Sequence, residues 1–112
     1  MKTITDEDLA RAIREVAAED PNYVYQRPGS RVCLYVHWDA NGTLRPGCLI
    51  GTALHRLGVP LETLSGYESK PAHEVLDHVA PDVSSHMRRA ATRVQRVQDL
   101  GATWRQAARL LD

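Results

Sequence analysis

The chain has 112 residues, 14 basic and 14 acidic side chains and a pI near 7.0, so it fits one domain, residues 1–112, with a core of its own. Charge neutrality removes any global field that would draw it to nucleic acid or to an anionic membrane. No apolar run approaches the length of about 18 residues that a bilayer requires.

The N-terminus turns acidic at Asp6-Glu7-Asp8 without an apolar signal region, which predicts a cytoplasmic location. Two cysteines, Cys33 and Cys48, are too few for a disulfide scaffold and are expected as reduced thiols. Arginine outnumbers lysine twelve to two and phenylalanine is absent, a bias that accompanies GC-rich coding.

Thr5, with Asp8 three residues on, reads as a capping box, and Ile4 and Leu9 span it as a hydrophobic staple. Asp6, Glu7 and Asp8 add negative charge at the positive end of the helix dipole. Leu9, Ile13, Val16 and Ala17 form the inward stripe of a helix that stops near Glu19, before Asp20-Pro21. Tyr23-Val24-Tyr25 predicts a brief edge strand, open to augmentation by another chain. Arg31 to Trp38 predicts a strand covered on both sides: Val32, Leu34, Val36 and Trp38 alternate with Cys33, Tyr35 and His37. Asn41-Gly42 favours a tight hairpin turn, after which Thr43-Leu44-Arg45 returns until Pro46 ends the pairing.

The segment from Gly47 to Leu57 is the most apolar and best punctuated in the chain. Ile50, Ala53, Leu54 and Leu57 share one helical face, and Gly58 followed by Val59-Pro60 is a stop signal. Pro60 to Leu64 predicts a single helical turn. Pro71 to Ala80 predicts a helix facing inward through Ala72, Val75, Leu76 and Val79, with Asp82 as cap of the next one. Val83, Met87, Ala90, Val94 and Val97 then recur at four- and three-residue steps until Gly101. Thr103 and Gln106 form a second capping box, opening a short helix that buries Trp104, Ala107, Ala108 and Leu111. The expected fold is α+β: a small antiparallel sheet of two to three strands with about five helices packed around it. Its core is to include Leu9, Ile13, Leu34, Val36, Ile50, Leu54, Leu57, Leu76, Val94 and Trp104.

Three constellations bear on function. Cys48 falls at the start of the central helix, where unsatisfied N–H groups and the dipole stabilise a thiolate. His55, seven residues on, is about 10 Å away along the helix and too far to serve as its base. Cys48 to Ala53-Leu54 and Leu57-Gly58-Val59-Pro60-Leu61 resembles the nucleophile helix of papain-like cell-wall peptidases of the NlpC type. That resemblance implies a cysteine-dependent hydrolase; in this chain His37 is the best-placed base if the strand end lies over the helix start. The family's Asp-Cys-Ser-Gly is Gly47-Cys48-Leu49-Ile50 here, its sheet follows the cysteine helix instead of preceding it, and a buried free cysteine also serves as a small hydrophobe. Cys33, His37, Cys48 and His55 could converge on a metal. No C-x2-C or H-x3-H pair occurs, however, and His73 and His78 are badly spaced for one face, so neither metal nor cofactor is expected.

The third constellation is charge. From Ser84 to Asp112 six arginines meet two acids, whereas residues 1–20 carry three cations and six anions. A basic helix face can lie on phosphates, or the two ends can neutralise each other. The seam from Val83 to Val97 has the a/d spacing of helices that pair, within the domain or across a homodimer. Pro46 to Gly51 and Leu54 to Val59, with Gln98-Asp99-Leu100-Gly101-Ala102-Thr103-Trp104, is similar to uncharacterised small proteins of actinobacteria and their phages; the likeness implies origin and single-domain size and carries no activity. The reading that follows is a non-enzymatic protein–protein interaction domain, accessory or regulatory, with Arg88, Arg89, Arg93 and Arg96 on its contact surface. Nucleic-acid binding through the same helix and cysteine hydrolysis through Cys48 are the alternatives.

Overall fold

Thr5 sets the first helix as its sequence requires. The Thr5 hydroxyl accepts the Asp8 N–H, and the Asp8 carboxylate accepts the Thr5 N–H, both at 3.1 Å. The computed structural model describes residues 3–25, 35–38, 40–67 and 70–111, with the backbone alone for His37 and Trp38. Helix α1 (Asp6–Glu19) buries Leu9, Ala12, Ile13, Val16 and Ala17, and Ile4 and Leu9 are both buried across the cap. Strands β1 (Val36–Trp38) and β2 (Leu44–Pro46) pair antiparallel, Val36 opposite Pro46 and Trp38 opposite Leu44. Gly42 turns the hairpin at φ 76°, a left-handed conformation that suits glycine. There follow α2 (Leu49–Arg56), α3 (Leu61–Ser65), α4 (Ala72–Val79), α5 (Ser85–Asp99) and α6 (Trp104–Ala108), with a 3-10 turn over Arg109–Leu111.

The helix-rich half of the α+β expectation stands; among the described residues the sheet amounts to the single pair β1 and β2. Val24 makes an isolated bridge with Thr103 and joins neither strand. Backbone bonds from Trp104 N–H to the Tyr23 carbonyl (2.9 Å) and from Arg105 N–H to the Pro21 carbonyl (3.0 Å) use this segment to hold the start of α6. The edge strand expected at Tyr23–Tyr25 is therefore a strap between α1 and α6. Leu34, assigned above to the core, and the rest of its strand from Arg31 lie outside the described residues.

Helix α2 is the hub. It packs against α1, α5 and β2, and Leu49, Ile50, Gly51, Ala53 and Leu54 are buried along it. Leu57 is only partly buried and Gly58 closes the helix at φ 104°. Gly51 lets the helix lie directly on the backbone of Tyr35: a Cβ there would sit 2.9 Å from the Tyr35 Cα. Each leucine-sized side chain withdrawn from water contributes about 1.5–3 kcal/mol, and Leu9, Ile13, Leu54, Leu76 and Val94 are withdrawn completely. Val36, Ile50 and Trp104 are buried with them.

Helix α5 contributes polar groups to this core as well as apolar ones. Gln98 Oε1 accepts the Leu49 N–H at the start of α2 (2.8 Å) and the Trp104 Nε1–H (3.2 Å). Gln95 Oε1 accepts the Ala72 N–H at the start of α4 (2.7 Å). Gln95 Nε2 donates to the Tyr35 hydroxyl (2.7 Å), which donates to the Lys70 carbonyl (2.5 Å). Pro71, the N-cap of α4, has no side chain to cap it, so the acceptor comes from across the core. The cap of α5 itself is Ser84, not Asp82: its hydroxyl accepts the Met87 N–H at 3.1 Å.

Candidate functional site

Cys48 is the N-cap of α2, and its sulfur accepts the Gly51 N–H at 3.4 Å. It has no exposed surface and is disulfide-bonded, which corrects the expectation of a reduced thiol. Cys33, the other cysteine of the chain, lies outside the described residues. A sulfur already committed to a disulfide and sealed from solvent offers no thiolate to a substrate. His37 stands on β1 opposite Arg45, its side chain outside the described set. The exposed His55 turns away from Cys48 and donates from Nδ1 to the Val59 carbonyl (3.1 Å), closing the end of α2. Among the described residues no three His, Cys, Asp or Glu side chains are placed to share a metal ion.

The apolar seam, open by its spacing to packing within the domain or across a homodimer, is used inside the domain. Val83, Met87, Ala90 and Val94 are buried and only Val97 is partly open. The outer face of α5 is different. Arg88 is partly buried and structural: it holds Asp77 at 3.0 Å and donates to the Pro81 carbonyl at 2.7 Å, tying α5 to the end of α4. Arg89, Arg93 and Arg96 are exposed, and none of them makes an ion pair or hydrogen bond among the described residues. Their spacing of four and three places all three on one side of the helix, and Leu100, four further on, continues the row. Leu100 is 82% exposed. At about 1.5 Å per residue the row from Arg89 to Leu100 is roughly 16 Å long.

The acidic residues of α1 do not neutralise that row. Asp6 accepts the Ser84 N–H (2.7 Å) and hydroxyl (2.6 Å), which hold its carboxyl below the usual aspartate range; Ser84's hydroxyl is the main cause. Glu19 binds Arg56 of α2 through both carboxylate oxygens, which lowers the Glu19 pKa and raises that of Arg56. The arginine row was legible as regional charge, whereas Leu100 entered only as part of the segment Gln98 to Trp104. The signal that could have found it is its place in the same four-and-three spacing as the arginines. Comparison with family models, with curated proteins and with solved structures finds no match for this chain.

Proposed function

We propose that this chain is a non-enzymatic interaction domain that uses the outer face of α5 to hold an acidic protein surface, with Leu100 as its apolar anchor. One observation supports this most: three arginines without described partners and one almost fully exposed leucine share a single helix face. Leaving a leucine in water forgoes about 1.5–3 kcal/mol that a partner's socket can recover. Arginine and large apolar side chains together are the composition of interface centres.

The leucine also separates this reading from nucleic-acid binding. A duplex contacted by three arginines would show a salt slope of only about −2.7, and a hydrated phosphate backbone offers Leu100 no apolar socket. Cysteine hydrolysis is disfavoured by the disulfide and the burial at Cys48.

The test places a photo-crosslinking amino acid at Arg93 and, as a control, at Arg11 on α1, in cells that express the protein. We expect an adduct with one acidic protein from position 93 alone, lost in Leu100→Ser and in Arg96→Glu. The same adducts from both positions would sink the reading. So would tight duplex DNA binding that ignores Leu100→Ser.

A further inference from the structure

A second basic feature lies away from the α5 row, between α1 and the C-terminal turns. A groove of about 340 Å³ is lined by Arg14 of α1, Arg105 of α6 and Arg109 of the 3-10 turn, with Ala17, Ala18 and Ala108 along its floor. That volume is in the range of small-molecule sites. Among the described residues no carboxylate lines it. Arg105 and Arg109 are exposed and four residues apart, and the backbone stays helical through Arg109 at φ −61° and ψ −21°. The two guanidinium groups therefore leave the same side of the turn, about 6 Å apart along its axis. Neither has an ion-pair or hydrogen-bond partner among the described residues. Like charges at this spacing repel. Arg14 is anchored: it donates to the Leu111 carbonyl at 3.4 Å and so fixes the C-terminal turn against α1.

We infer that this groove binds a phosphate monoester. The phosphate dianion would lie between Arg105 and Arg109, and the organic group would rest on the alanine floor. Two planar guanidinium forks can divide the three terminal oxygens of one phosphate between them. The alanines leave room and contribute apolar contact without competing for the anion. The site shares no residue with the α5 face, so either proposal can fail without the other.

The experiment titrates the protein with phenyl phosphate, with glutarate as a dicarboxylate control, following arginine Nε–H and backbone amide resonances. We expect saturable shifts centred on Arg105 and Arg109, with phenyl phosphate at least fivefold tighter than glutarate. Arg105→Ala with Arg109→Ala should weaken binding at least tenfold. Ala18→Glu, which sets a carboxylate in the groove at an exposed position, should do the same with both arginines intact. Arg89→Ala with Arg93→Ala should leave the affinity within twofold. Equal loss in the α5 variant would reduce the effect to general charge. Glutarate binding as tightly would overturn the phosphate assignment, and an absence of shifts at 20-fold-higher ligand than protein in the millimolar range would overturn the site.

Discussion

A methyl group at residue 51 would have to share space with the carbonyl carbon and Cα of Tyr35, 3.0 and 2.9 Å away. Replacing glycine by alanine inside a helix ordinarily returns about 0.8–1 kcal/mol of propensity, whereas overpacking costs about 1–3 kcal/mol. The obstacle here is backbone, which has no rotamer to yield, so the clash wins. Gly51→Ala is expected to lower the unfolding free energy by about 1–2 kcal/mol in a urea titration; a gain would mean that β1 can back away from α2. Gln98 carries a different burden. Gln98→Leu keeps the volume but leaves the buried Leu49 N–H and Trp104 Nε1–H without their acceptor. That should cost about 2–3 kcal/mol, and the same titration checks it. Neither residue's role was legible beforehand. Gly51 needed knowledge of what lies across from it, and a glutamine on an arginine-rich helix reads as surface until the inward face is fixed. The sign was available, since Gln95 and Gln98 fall on the same side as Ala91 and Val94.

At the scale of elements, the helix starts were the most readable features because their signals are local. Both capping boxes, Thr5 with Asp8 and Thr103 with Gln106, lie within four residues of sequence. The strap at Tyr23–Val24 was misread as an edge strand because its partner, Thr103, is far along the chain. A short β-prone run does not state what it will pair with. The proposed contact surface was readable as a charge row but not as an anchor, and Cys48 was placed correctly on its helix while its bonding state was not. Helices α1 and α5 meet through Asp6 and Ser84, and this tie makes a prediction about acid. A carboxyl whose folded pKa lies below the unfolded value, about 3.9 for aspartate, stabilises fully at higher pH. That stabilisation is lost as pH falls through the folded value. Asp6→Asn should therefore be less stable than the parent at pH 7, with the difference narrowing below pH of about 4. Urea midpoints for both proteins at pH 7 and pH 3 measure this; a constant difference would show that the Asp6 charge plays no part.

For the molecule as a whole, the disulfide at Cys48 is the feature that the composition least foretold. No helix among the described residues is long and apolar enough to cross a membrane. Reduction should lower the unfolding free energy by about 2–4 kcal/mol, seen as a drop in melting temperature on adding dithiothreitol. Cys48→Ser should melt at the reduced protein's temperature with or without reductant, and indifference of the parent to reductant would rule the bond out. The glutamines of α5 carry a consequence for the order of assembly. The first amide of α2 and the first amide of α4 both end on one later helix, so neither is secured until Gln95 and Gln98 have been synthesised. Ribosome-bound chains truncated before residue 85 should leave the Leu49 and Ala72 amides free to exchange with deuterium. In the finished protein those two amides should be among the last to do so.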